Sequence, residues 1–190
     1  MAHAVVEALL APGAARVIAQ TLESLFGPDD RAGPVADLGA GGRARVAFPT
    51  VGVDVDVAAL RRYSDRDRDR AVVAADAGAL PFADASFAAA LSVGLLHHLD
   101  DASARAVIAE CLRIVRPGGL VAVFDAVLPD PPWRRPVAAV IRRLDRGRHM
   151  RTQSALEAVL APTGPWNFRR ITYSLTGLEA LVATMRGRGE

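Results

Sequence analysis

Five short β-favouring runs, at residues 34–38, 50–53, 71–75, 87–93 and 120–124, are apolar almost throughout instead of alternating. A strand with two apolar faces has to be covered on both sides, and a parallel sheet with helices on each face does this. The stretches between the runs carry helical periodicity, so the chain is expected to form a doubly wound α/β fold. Two further runs, 166–173 and 179–185, read as closing strands, the second also open to a helical reading; as strands they make a mostly parallel, seven-stranded sheet. At 190 residues and 51% hydrophobic, the chain is long enough to bury a core of its own and short enough to be a single domain.

The clearest helix is expected over 102–115, with Asp100 or Asp101 as its N-cap and Val107, Ile108, Cys111, Leu112 and Val115 on one face. Pro117, Gly118 and Gly119 stop it. Amphipathic stretches at 5–10 and 15–26 precede the first strand, and further helices are expected at 136–145 and 154–161.

Composition removes several classes of function. The formal net charge is only +2, and every one of the 23 basic residues is Arg, a pattern of GC-rich coding. The whole-molecule charge therefore argues for neither a nucleic-acid partner nor a membrane surface, no nucleic-acid partner is expected, and Arg-rich patches are discounted. Cys111 is the single cysteine, which excludes an internal disulfide framework and a zinc site of several thiolates. The longest apolar run, 88–96, is half of what a transmembrane helix needs, and the start of the chain lacks the features of a secretory signal. The expected location is cytoplasmic, as a monomer or homodimer.

A glycine turn follows the first strand directly, in Val35-Ala-Asp-Leu-Gly-Ala-Gly-Gly-Arg-Ala44. In a doubly wound sheet a ligand lies beyond the carboxyl ends of the strands, where glycine lets backbone approach it. Asp54, seventeen residues beyond Asp37, ends the next run, where a carboxylate is able to accept both hydroxyls of a ribose; Asp76 ends the third. Three carboxylates along one edge disfavour a pyrophosphate and favour a ligand carrying an ammonium and a sulfonium. The glycines alone, as Gly39-x-Gly41-x-x-Ala44, also satisfy the dinucleotide fingerprint, which keeps a nicotinamide-dependent oxidoreductase as an alternative.

Several motifs occur in order: the glycine turn, Val51-Gly-Val-Asp54, Asp76-Ala-Gly-Ala-Leu-Pro-Phe82, Ser86-Phe87, Leu95-Leu-His-His-Leu99 and Leu112-Arg-Ile-Val-Arg-Pro-Gly-Gly119. Over about 35–127 the chain resembles the class I S-adenosylmethionine-dependent methyltransferases, in particular the small-molecule group that includes quinone-biosynthesis C-methyltransferases. The resemblance implies a Rossmann-like methyltransferase fold, with S-adenosyl-L-methionine as cofactor and a small organic molecule as acceptor. It implies that the backbone at Gly39, Ala40 and Gly41, with Asp37 close by, holds the amino-acid part of the cofactor. Asp54 then holds the ribose, Val55 lies beside the adenine, and Asp76 with the Ala77 amide recognises the adenine edge. Ser92 and Val93 lie beneath the methionine and sulfonium portion.

Two departures stand out. Arg43 takes the place of the usual third glycine, with Gly42 adjacent, and the short segment to the second strand contains Pro49, so the first helix is expected to be stunted. These departures motivate the other alternative, a catalytically weak or inactive methyltransferase-like binding protein. Candidates for a catalytic base are His97, His98 and Asp125, with the two histidines preferred. The expected organisation is a helical lid or cover at 1–27, a cofactor-binding core at 28–127, a substrate-side insertion at 128–151, and a C-terminal helix with closing strands at 152–190. The insertion carries Trp133 and a run of arginines, read either as docking an anionic acceptor or as a solvated helix face.

Overall fold

The computed structural model describes residues 11, 13–66, 70–144 and 147–187, apart from the side chain of Leu144. Its strands are β1 (Val35–Leu38), β2 (Val51–Asp54), β3 (Val72–Ala74), β4 (Phe87–Val93), β5 (Val115–Val127), β6 (Asn167–Thr172) and β7 (Glu179–Arg186). The helices are α1 (Ala14–Leu25), α2 (Val57–Arg66), α3 (Asp101–Ile114), α4 (Pro136–Leu144) and α5 (Gln153–Leu160). One seven-stranded sheet has the order β3-β2-β1-β4-β5-β7-β6. The first five strands are parallel, and β7 pairs antiparallel with both β5 and β6. The order reverses between β1 and β4, and the carboxyl ends of these two strands flank a crevice.

Strand alternation divides the core into two layers. Ala36, Leu38, Ala90, Val121 and Val123 face α3 and α5, where they meet Val107, Ile108, Ile114, Leu156 and Leu160. Val35, Ala89, Leu91, Leu120 and Phe124 face the other way, against Ile18 and Leu22 of α1. Each large aliphatic side chain buried in this way contributes about 1.5–3 kcal/mol. Asp100 caps α3 by accepting the Ser103 N–H at 2.8 Å, which leaves Asp101 as the first helical residue. Cys111 lies on the core face of α3, and burial pushes its thiol up to about 12, so it is inert packing. Near the opposite end of the sheet, buried Asp30 accepts the Gly27 N–H and pairs with Arg186 of β7.

The expected strands and helices are present within a few residues, with three differences. β5 begins at Val115, so the Pro117-Gly118-Gly119 stop lies inside an irregular start of the strand. Asp76 lies two residues beyond β3. Between β1 and β2 there is no helix at all among the described residues, where a stunted one was expected. Arg70 explains how the chain manages without it. Its guanidinium is buried and donates to the carbonyls of Val46, Ala47 and Phe48 and to Thr50 Oγ1, at 2.8–3.1 Å. These side-chain bonds satisfy backbone groups that helical bonds would otherwise satisfy. The amphipathic stretch at 5–10 lies outside the described residues.

Candidate functional site

The glycine turn leaves β1 with its amides already directed. The N–H groups of Gly39 and Ala40 both donate to the Val53 carbonyl, and the Gly41 N–H donates to Asp54 Oδ2 at 2.8 Å. Asp54 Oδ1 accepts the Asp56 N–H at 2.9 Å, so the end of β2 is drawn onto the turn. Gly39 and Gly41 have φ of 69° and 59°, which disfavour any side chain. Their surroundings differ. A Cβ on Gly39 would lie 2.9 Å from Leu95 Cδ1, whereas one on Gly41 would meet nothing within 4 Å. The space in front of Gly41 is an open cradle beside a carboxylate. Gly42, the expected substitute for the missing third glycine, packs on Arg62 and lacks a positive φ.

The three expected strand-end acids are placed differently. Asp54 is half-buried and Asp76 is exposed, with its Oδ1 accepting the Gly78 N–H at 2.8 Å. Asp37 instead lies inside the protein. In β1 it shares a face with its β2 neighbour Gly52, and the missing side chain there makes room for the Tyr63 ring. The Tyr63 hydroxyl donates to Asp37 Oδ2 at 3.0 Å and lies 2.6 Å from Thr50 Oγ1, which in turn accepts from Arg70. Burial pushes the Asp37 carboxyl up to about 6, against the lowering effect of the Tyr63 hydrogen bond. Arg70, Thr50 and Tyr63 were missed in the sequence. A lone Arg just before an apolar run offers no local signal that it folds back onto a preceding loop.

Val55, next to Asp54, is a valine 72% exposed, and Ala77 is half-buried beside Asp76. Val93 ends β4, and its neighbour Ser92 is fully buried with a hydroxyl that has no hydrogen-bond partner among the described residues. An orphaned buried hydroxyl is costly unless a ligand or water meets it.

Beyond β4, a single helical turn at Leu96–His98 carries the two histidines. His97 is buried, and its Nδ1 lies 2.6 Å from Asp125 Oδ1; the other carboxylate oxygen accepts the Leu96 N–H at 2.6 Å. His98 is exposed, its ring 4.1 Å from that of His97. Asp125, one of the three expected bases, thus holds His97. Arg151 is buried and donates to the carbonyls of Leu96, Leu99 and His149 and to Asp101 Oδ1, tying the end of the insertion over this turn. Arg142 is likewise internal, donating to Tyr173 Oη, just beyond β6, at 2.6 Å. Neither sequence reading of the arginine run, ligand docking or a solvated face, describes these two residues.

A profile for the methyltransferase domain matches residues 36–123, the stretch that runs from the glycine turn to β5. This stretch, just under half of the chain, is a methyltransferase domain of the class I S-adenosylmethionine-dependent kind. The chain is 28% identical over 186 residues to a malonyl-[acyl-carrier protein] O-methyltransferase of Pseudescherichia vulneris, covering 95% of this chain and 68% of the relative. To a demethylmenaquinone methyltransferase of Beutenbergia cavernae it is 40% identical over 106 residues, 52% of this chain and 42% of that protein. A geranyl diphosphate methyltransferase solved in complex with SAM superposes with a TM-score of 0.71 at 13% identity, covering 92% of this chain and 85% of the other. None of these matches favours the oxidoreductase reading of the glycine turn. S-adenosylmethionine is the methyltransferase's cofactor, and the residues present suit it: open space in front of Gly41, carboxylates that reach solvent at Asp54 and Asp76, and the unpartnered Ser92 hydroxyl. Among the described residues no helix is long and apolar enough to cross a membrane.

Proposed function

We infer that the methyltransferase acts on a small organic acceptor, at a carbon, oxygen or nitrogen nucleophile, and that it works in the reducing cytoplasm, as its one buried cysteine suits. The observation that carries this reading is the junction of Gly41 with Asp54, facing open space at the carboxyl edge of the sheet. Each Asp54 oxygen has a second lone pair free of its backbone partner, enough to accept the two ribose hydroxyls. Gly39, Ala40 and Gly41 border the amino-acid part, with Asp37 as a support beneath them, not a contact. Val55 covers one face of the adenine, Asp76 and the Ala77 amide take its edge, and the Ser92 hydroxyl with Val93 floors the methionine portion.

When bound, the cofactor supplies a methyl carbon on a positively charged sulfur, poised for in-line displacement. The protein's task is alignment and exclusion of water, an effect worth about 7–11 kcal/mol for well-oriented reactants. Where the acceptor must lose a proton, His97 is the base. An Nδ1–H donated to the Asp125 carboxylate leaves Nε2 with its lone pair, and the proton moves from the acceptor to that nitrogen. His98 assists by packing on the ring. The reading as a binding protein without catalysis draws on one observation, the absent helix after the glycine turn.

Isothermal titration with S-adenosylhomocysteine tests the reading. Binding at micromolar strength is expected, with Asp54→Ala weaker by at least about tenfold, the equivalent of one lost charge-assisted contact. Unchanged affinity in that variant removes the ribose assignment, and no binding by the wild type favours the binding-protein alternative.

A further inference from the structure

The net charge of +2 conceals a segment with no acidic residue at all. Residues 131–144, Pro-Pro-Trp-Arg-Arg-Pro-Val-Ala-Ala-Val-Ile-Arg-Arg-Leu, contain four arginines and neither Asp nor Glu. In a buried or merely solvated helix the apolar side chains would turn inward. Here α4 turns Ala138 inward and leaves Val137 and Val140 each 57% exposed on the opposite face. Trp133, in the turn just before α4, is 77% exposed, and Leu175 is 88% exposed. Leu175 belongs to the same rim. The turn joining β6 to β7 stands at the carboxyl end of β5, where Val127 pairs with Glu179, and Arg135 ties that turn to the start of α4 through the Gly177 carbonyl and Glu179. Arg134 and Arg143 are exposed beside these apolar groups.

Large exposed apolar side chains with Trp among them, bordered by two exposed arginines and with Glu179 held by Arg135, suit a boundary where one side is hydrocarbon and the other carries negative charge. We propose that this rim docks on the surface of an anionic phospholipid bilayer, with Trp133, Val137, Val140 and Leu175 entering the headgroup region and Arg134 and Arg143 meeting the phosphates. The rim lies at the same sheet edge as the methyl-transfer site, so docking turns the mouth of that site toward the membrane. Glu179, the acid at this rim, is taken up by Arg135 and Arg170, and the two exposed arginines beside Val140 and Trp133 disfavour both a cationic partner and a second copy of the same rim.

The two tryptophans make the test direct, because Trp166 is buried with its Nε1 bonded to Thr163 Oγ1 at 2.8 Å. The full chain is mixed with vesicles of phosphatidylglycerol and phosphatidylcholine in equal parts, and with phosphatidylcholine alone. The expected result is a blue shift of the tryptophan emission, quenching by brominated acyl chains, and co-sedimentation with the anionic vesicles only. Trp133→Phe should lose the shift and the quenching while still sedimenting, since Trp166 remains out of reach. Arg134→Glu with Arg143→Glu should lose sedimentation at least tenfold without altering thermal unfolding, as both side chains stand in solvent. No shift with anionic vesicles overturns the proposal. So does a concentration-dependent shift without lipid, with a dimer in sedimentation velocity, which would assign the rim to a second copy. S-adenosylhomocysteine titration on the same sample reads the catalytic site separately.

Discussion

Two loops border the site, and each is held by one buried arginine. Arg70 gathers the carbonyls of the segment after the glycine turn, and Arg151 gathers those of the turn that bears His97. They differ in where the charge ends. From Arg70 a chain of buried hydroxyls, Thr50 and Tyr63, leads to Asp37, an acid with no access to water. Arg151 is matched by Asp101, a carboxylate that is itself mostly exposed. The first loop is fixed from within the core and the second from its rim. Loss of a regular helix therefore need not loosen a cofactor loop, provided a guanidinium satisfies the freed carbonyls.

The largest test is to truncate both arginines. Arg70→Leu removes the donor from the buried Val46 carbonyl, the partly buried bonds to Ala47 and Phe48 and the buried Thr50 hydroxyl, and should cost about 3 kcal/mol in urea unfolding. Its functional loss should fall on affinity for S-adenosylhomocysteine. Arg151→Leu should destabilise by less, since water reaches Asp101, and should lower the methyl-transfer rate with affinity little changed.

Next in size is the pH response of the inner loop. The folded Asp37 carboxyl is pushed up to about 6, above its value in the unfolded chain, so the native state keeps a proton that the unfolded state releases. Stability contributed by this group is present below about pH 4 and is lost as pH rises through about 6, by roughly 2–3 kcal/mol in all. Asp37→Asn should flatten that part of the profile, seen as a urea midpoint that gains on the wild type between about pH 4 and pH 7.

Gly41→Ala should cost about 1–2 kcal/mol from its left-handed backbone and no more, because its Cβ enters open space. Gly39→Ala adds a collision with Leu95 and should cost more, and thermal unfolding of the pair ranks them. The smallest effect belongs to the second loop's outer end, where Thr152 caps α5 through the Ala155 N–H at 3.3 Å. Thr152→Ala should lower stability by about 0.5–1 kcal/mol.

The parts of this protein that repeat a local rule were legible in its sequence. Apolar runs such as 87–93 announced buried parallel strands, and the face from Val107 to Cys111 announced α3 together with the burial of its thiol. The positive φ at Gly39 and Gly41 and the placement of Asp54 against the turn follow from the same short motif. What stayed hidden depends on long-range partners. Asp37 reads like a strand-end ligand until Gly52 admits Tyr63, and Arg70 reads like a surface charge until the missing helix draws it inward. His97 and His98 are equivalent as letters; only Asp125, from another strand, distinguishes them.

β7 is the last of the described strands in order but occupies an interior berth, between β5 and β6. Until it emerges from the ribosome, β5 presents a bare hydrogen-bonding margin and β6 has no neighbour on which to settle. A fragment that stops before β7 should therefore be sticky instead of half-formed, and Arg186, arriving opposite Asp30, clasps β7 in place.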